Sequence, residues 1–357
     1  MELGKGDETD FMKLQKMTKW LLGGLSALLT IAGAATIFAA ADTTGTTEQP
    51  ASYDTAMIEL LSRIRAYTIA RQPDFALIGN GAVGLLSTDG ECTPADRQRL
   101  LDSLDGILAE SLYYRWTADG FAATPAGDRE PYLYDLLAAQ RDSQQQGKQL
   151  TVLTLDYTDN EDEAETVRRH SRRNGFLPQV KSRRSLDQLN RDEGNLAPSA
   201  GRTVERLSEA RNFDILLNPG RYRTKSAYLA ALQRNDSDVL IIDAYFGGEM
   251  LTKDDVDRIK QRGDGSRRLV FAYLSIGEAA SYRDYWQPTW AKQPPEWLAE
   301  PNPDWPDSYR VRYWMRSWQD ILYGQPDSQL DRIMAAGFSG AMLDTIDAYQ
   351  YFAAQDS

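Results

Sequence analysis

Eight short apolar runs, most of them preceded by a segment of helical periodicity, constrain this chain more than any other feature. They are FALIGNG (75–81), ILAESLYYR (107–115), QLTVLTLDYTD (149–159), NGFLPQV (174–180), NFDILLNPG (212–220), SDVLIIDAYFGG (237–248), LVFAYLSIGE (269–278) and AMLDTIDAY (341–349). Continuous apolar stretches such as VLII and TVLTL fit parallel strands covered on both faces, and helices between them supply the long crossovers that parallel pairing needs. Helical spacing recurs at 56–70, 132–141, 162–173, 226–233, 252–263 and 328–337. Four runs precede and four follow NRDEGNLAPSAG (190–201), a stretch with linker composition. Two architectures satisfy this rhythm: one (β/α)8 barrel, or two four-stranded α/β domains. A chain of 357 residues, 42% hydrophobic, is long enough for either.

The first residues stand apart from that pattern. Lys13, Lys16 and Lys19 precede WLLGGLSALLTIAGAATIFAAA (20–41), an uncharged run long enough to span a bilayer, with small residues at its end that also suit a signal cleavage site. The expectation is therefore a cytoplasmic or n-region over 1–19, a transmembrane anchor or signal h-region over 20–41, a linker over 42–52, and the folded part over 53–357. It carries an expected membrane partner if the segment is uncleaved. The expected location is then the inner membrane, facing the periplasm or cell exterior, or secretion after cleavage.

One cysteine, Cys92, and one histidine, His170, exclude a disulfide framework, a thiolate cluster, a histidine-rich zinc site and a Ser-His-Asp triad. No phosphate-cradling glycine loop occurs. A net charge of −12 opposes nucleic acid as a partner, and the basic runs RRHSRR (168–173) and KSRR (181–184) read as solvated surface. No cofactor and no metal are expected, which leaves carboxylates to carry any chemistry.

Those carboxylates recur at one place. Asp243 closes VLIID, Glu278 closes LSIGE, Asp344 closes AMLD, Glu110 follows ILA and Asp156 follows TVLTL. In a parallel barrel the C-terminal ends of the strands converge on one rim, where active sites sit. Aromatic residues accompany the acids: Tyr113, Tyr114, Tyr157, Tyr245, Tyr273, Tyr282, Trp286, Trp305, Tyr313 and Trp314. Acids and rings at one rim describe a carbohydrate cleft, and glycosidic hydrolysis is chemistry that two carboxyl groups perform alone. The competing reading is a noncatalytic carbohydrate-binding or envelope-associated protein in which the acids only grip sugar.

Three strings, YLSIGEAASYRDYW, PPEWLAEPNPDWPDSYRVRYW and GFSGAMLDTIDAYQYF, closely resemble the TM1410-like group of bacteria and archaea. That group overlaps glycoside hydrolase family 114, whose founding activity is endo-α-1,4-polygalactosaminidase. The segments before the linker resemble the later strands of that family, fifth to eighth, and those after it the first four. The resemblance thus implies a single circularly permuted (β/α)8 barrel over 53–357, with strands 5–8 in 53–189, a joining loop at 190–204 and strands 1–4 in 205–357. It further implies an endo-acting hydrolase of a polysaccharide such as α-1,4-linked polygalactosamine. Asp344 and Glu110 would be the reacting pair and Glu278 the alternative catalytic carboxylate. Asp243, Asp156, Asp347, Asn80, Tyr245, Tyr273, Tyr282, Arg283, Tyr313, Trp314 and Tyr157 would line the substrate site. In one departure, Gly79 stands where the family carries Gln before Asn-Gly, which implies a shifted substrate preference.

Overall fold

A computed structural model describes residues 49–87, 92–190 and 201–355. Each of the eight apolar runs contains a strand: β1 (Ala76–Asn80), β2 (Gly106–Glu110), β3 (Thr151–Tyr157), β4 (Leu177–Lys181), β5 (Phe213–Leu216), β6 (Val239–Asp243), β7 (Leu269–Ser275) and β8 (Gly340–Asp344). They form one parallel sheet in the order β4-β3-β2-β1-β8-β7-β6-β5. The last strand of the chain lies beside the first, so the two halves of the sequence make one sheet and not two domains.

Side chains alternate across this sheet, as strand geometry requires. Ile78, Leu108, Leu153, Leu155, Tyr157, Phe213, Ile215, Val239, Ile241, Phe271 and Met342 pack together on one side. Leu77, Ile107, Val152, Leu240, Ile242, Val270, Ala341 and Leu343 pack on the other, against the helices. The first cluster is the interior of a (β/α)8-like barrel.

The barrel is nearly closed. Among the described residues no backbone ladder joins the edge strands β4 and β5. Side chains bridge the gap instead. The Gln179 amide donates to the Phe213 carbonyl (2.8 Å) and to Asp214 (3.0 Å), and Lys181 forms an ion pair with Asp214. Asp214 also accepts from the Asn190 backbone and the Asn235 amide, each at 2.9 Å. The expected closed barrel is corrected at this seam, the point where the joining loop connects the two halves. Residues 191–200 of that loop lie outside the described residues.

The membrane anchor is also corrected. No helix among the described residues is long and apolar enough to cross a membrane. The longest, Ala126–Gln145, has 20 residues but carries Asp128, Arg129, Glu130, Asp135, Arg141 and Asp142, charges that hydrocarbon does not accept. Nothing in the described structure therefore supports a transmembrane part of the fold, a membrane partner or an inner-membrane location. The run 20–41 on which those expectations rested lies outside the described residues.

Besides the short hairpin of Tyr245–Phe246 with Glu249–Met250 after β6, two antiparallel excursions leave the barrel at its C-terminal rim. One is the hairpin Tyr114–Thr117 with Gly120–Ala123, after β2. The other, after β7, is a three-stranded sheet of Glu278–Ala280, Leu298–Asn302 and Trp305–Val311. Neither follows from a parallel-strand pattern. The basic runs are corrected too: Arg168 is 6% exposed and bonded to Glu161 at 2.7 Å, and Lys181 is 4% exposed at the seam.

Candidate active site

A cavity of about 1440 Å³ opens at the C-terminal ends of the strands. A smaller one, about 580 Å³, lies at the opposite end, lined by Phe75, Asp105, Leu150 and Leu269, and holds none of the expected site residues.

Alternation decides which rim residues enter the large cavity. Asn80, Glu110, Tyr157, Asp243, Tyr273 and Asp344 share strand parity with the interior residues and line it. At its floor the Asn80 side-chain amide donates to Asp344 Oδ1 at 2.8 Å and to Glu110 Oε2 at 3.3 Å. A single nitrogen thus stands between two carboxylates from β8 and β2. Asn80, expected to bind substrate, lines the cavity and is engaged by both acids. Tyr157 Oη donates to Glu110 Oε1 at 2.6 Å, and the Tyr273 hydroxyl bonds Asp344.

Burial pushes the Glu110 carboxyl up from its ordinary range and the charge of Asp344 pushes it further; Tyr157, Asn80 and Arg184 oppose this. Burial also raises Asp344, against the Thr345 backbone, the Tyr273 hydroxyl and the Asn80 amide. With like charges so close, the pair holds one proton more readily than none. Asn80 opposes the shift of both carboxyls, the Thr345 backbone and the Tyr273 hydroxyl oppose that of Asp344, and Tyr157 and the Arg184 charge oppose that of Glu110.

The residue after each carboxylate is held in the left-handed region without being glycine: Ser111 at φ 59° and Thr345 at φ 60°. Such conformations cost of order 1–3 kcal/mol and persist only where the surroundings enforce them. Around Thr345 the enforcement is visible. Its Oγ1 accepts from the Gly277 backbone at 2.8 Å, meets Ser275 Oγ at 2.9 Å and donates to the Asp344 carbonyl at 2.6 Å. A Cβ on Gly277 would stand 2.3 Å from the Thr345 carbonyl oxygen, so the close approach requires glycine.

Glu278 lines the cavity but does not end β7, which stops at Ser275. It opens the antiparallel excursion, where Asn302 Nδ2 donates to it at 2.8 Å and Arg310 lies 3.6 Å away. Burial raises its carboxyl, opposed by Asn302 and Arg310. Asp243 is gripped in a two-pronged pair by Arg283 (2.9 and 3.1 Å), whose guanidinium also lies over the Tyr245 and Tyr282 rings. Asp347 is exposed at the rim, and its carboxyl is pushed up to about 6 by the crowding around it and by the charges of Asp344 and Glu278.

Three expected site residues lie elsewhere. Asp156 has the parity of the helix-facing side and is fully buried, accepting from the Tyr113 and Tyr114 backbones at 2.6 and 2.9 Å. It anchors the turn after Glu110. Tyr313 is buried with its hydroxyl on the Tyr53 carbonyl at 2.7 Å, and Trp314 packs on Tyr53 and Phe352. Gly79 faces outward as well: a Cβ there would meet Leu104 and Ile346 at 2.8 and 2.9 Å. The departure at Gly79 therefore lies on the helix-facing side of β1.

Arg184, which has the look of solvated surface in the sequence, stands with Trp305. Both line the cavity, and the guanidinium sits 4.6 Å from the ring centroid. Arg184 belongs to the run KSRR, which hid it among apparent surface charges.

The model of glycoside-hydrolase family GH114 matches residues 194–357, which takes in β5 to β8 with Asp243, Glu278 and Asp344 and leaves Glu110 outside. An uncharacterized protein of Methanocaldococcus jannaschii is 32% identical over 156 residues, 43% of each chain. One from Thermotoga maritima is 35% identical over 132 residues, 37% of this chain and 39% of the relative. One from Deinococcus radiodurans is 47% identical over 89 residues, 25% and 28% respectively. The matches span less than half the length of these relatives. Two crystal structures of tryptophan synthase from M. tuberculosis overlap at TM-scores of 0.30 and 0.32, with 17% and 14% identity. They cover 63% and 82% of this chain and 83% and 94% of theirs. Overlap so slight carries no argument.

Proposed function

We propose that this chain is a retaining glycoside hydrolase in which Asp344 is the nucleophile and Glu110 the general acid and base. The observation that carries the reading is the Asn80 amide shared by the two carboxylates at the floor of an aromatic-lined cavity. Because one nitrogen reaches both, the bonded oxygens are no further apart than 2.8 and 3.3 Å together. That limit admits the ~5–5.5 Å separation of a retaining pair.

In the first step Asp344 attacks the anomeric carbon while Glu110 gives its proton to the departing glycosidic oxygen. A glycosyl ester and a freed alcohol result. Glu110, now ionised, then takes a proton from water, whose oxygen displaces Asp344 and regenerates both groups. Glu278, paired with Arg310, and Asp243, paired with Arg283, hold substrate and do not react with it.

A polysaccharide of amino sugars, of the α-1,4-linked galactosamine type, is the proposed substrate, cut internally. The match to GH114 supports the class of bond, and the acidic rim suits a cationic polymer. The order of the halves supports a circular permutant: the family match covers only the second half, while the first half supplies β1 to β4 of the same sheet.

The test is release of new reducing ends from partly deacetylated polygalactosamine, by wild type and by Asp344→Asn and Glu110→Gln. Release by wild type and its loss in both variants supports the reading. Unchanged release in both would sink the assignment of roles.

A further inference from the structure

The charges that line the cavity are not evenly spread around its rim. Beside Asp344, from β6 to β8 and the excursion after β7, stand Asp243, Glu278, Asp304, Asp307 and Asp347. Two cations accompany them, Arg283 and Arg310, and each is held by one of these acids. On the side of Glu110 the acids thin out. Arg184 follows β4, two strands from β2, and lines the cavity, and Glu110 is the one lining acid that the described residues of the first half contribute. No carboxylate among the described residues lies within ion-pair distance of Arg184. Its guanidinium instead covers a face of Trp305, a ring 45% exposed. The positive charge of Arg184 reaches both Glu110 and Tyr157, whose carboxyl and phenol it lowers.

We infer that the cleft reads the charges of the two sugars flanking the scissile bond differently, with Arg184 and Asp347 as the specificity-determining residues. The inference rests on the hydrolase reading. If Asp344 attacks the anomeric carbon, the acids around it face the sugar that becomes the new reducing end. If Glu110 protonates the leaving oxygen, Arg184 faces the sugar that departs. An ammonium group suits the first position, where the exposed Asp347 carries an acceptor with no cation in contact. It is disfavoured at the second, where Arg184 repels a like charge. A neutral amide such as N-acetyl suits the second position, because its carbonyl accepts from a guanidinium. The Trp305 ring beside it offers a flat apolar surface to a sugar.

Trp305 comes from the acidic excursion and arches over to Arg184, so Asp304 lies near this boundary. The asymmetry therefore belongs to the residues nearest the reacting pair and not to the whole cavity mouth. The preferred substrate is a mixed polymer, in which a free amine precedes the cut and an acylated amine follows it.

Product sequencing by mass spectrometry reads this pattern directly, with α-1,4-linked galactosamine polymer used fully deacetylated and half re-N-acetylated. Wild type is expected to cut the mixed polymer roughly tenfold faster, leaving free amines at new reducing ends and N-acetyl groups at new non-reducing ends. Arg184→Met relaxes the non-reducing ends toward the polymer's own composition, and Arg184→Lys keeps the wild-type pattern. Asp347→Asn relaxes the reducing ends alone. End composition that is random in wild type, or unchanged in Arg184→Met and Asp347→Asn, overturns the inference while leaving the hydrolase reading standing. Absence of new ends from either polymer counts against the hydrolase reading. Affinity electrophoresis then decides the charge pattern: tighter wild-type binding of the mixed polymer, reversed in Arg184→Met, supports it, and equal binding overturns it.

Discussion

The seam between β4 and β5 and the floor of the large cavity both hold carboxylates in protein surroundings, yet they treat them oppositely. At the seam Asp214 is fully buried and accepts from Lys181, Gln179, Asn190 and Asn235. Asp238, close by and also fully buried, is held by Arg202 and Arg262. Every charge there has a cation in contact. On the cavity floor Glu110 and Asp344 receive an amide and two phenols, with no cation in contact among the described residues. The first arrangement spends carboxylates on holding the barrel together, and the second leaves them crowded and ready to exchange a proton.

Substitutions separate the two. Asp344→Asn is expected to lower turnover on the order of 10⁴-fold while the melting temperature holds or rises, since a buried carboxylate gives way to a neutral amide. Steady-state kinetics alongside a thermal melt checks this, and a variant that unfolds would place Asp344 with the seam. Asp214→Ala is the converse. Lys181 is left buried without its partner, at a cost of ~3–5 kcal/mol, read as a drop in the denaturant midpoint. Activity per folded molecule should persist.

Asp156 sharpens the contrast as a third kind of buried acid. One of its oxygens anchors the turn after Glu110, and the other has no partner in the structure. Burial, aided by the charge of Glu110 and opposed by the Tyr113 and Tyr114 amides, pushes its carboxyl up to about 7. The folded chain thus keeps a proton that the unfolded chain releases near pH 4. Stability should fall as pH rises from about 4 to about 7, and the loss should be complete above that. Asp156→Asn keeps the acceptor and removes the slope. The expected gain is a few degrees in Tm at pH 8 and almost none at pH 4.5. An equal gain at both values would contradict the assignment.

The smallest effect concerns Tyr157. Its hydroxyl lowers the Glu110 carboxyl, so Tyr157→Phe should raise it and move the alkaline limb of the kcat/KM profile upward. An unmoved limb would detach Tyr157 from the acid.

Much of this contrast was legible in the sequence, and the reason is periodicity. Dense apolar runs gave the strands, and acids at their ends gave the rim. Alternation within the runs also carries the facing of single residues. Asp156 sits between Leu155 and Tyr157, both interior residues, so a period of two already turns it toward the helices. Tyr313 and Trp314 pack away from the cavity, and aromatic composition alone does not distinguish a packed ring from an open one. The seam was illegible for a different cause. Lys181 and Asp214 are 33 residues apart, and a side-chain bridge across a barrel's edges leaves no local pattern. Arg184 was hidden likewise, since its partner Trp305 lies in an antiparallel excursion that no parallel-strand rhythm announces.

The most direct test of the account asks which carboxylate the sugar joins. The protein would be treated with a 5-fluoro glycosyl fluoride of galactosamine, stopped in acid and digested, and the labelled peptide sequenced by mass spectrometry. The account predicts one glycosyl adduct, on Asp344, absent in Asp344→Asn. An adduct on Glu278 or on Glu110 would contradict it.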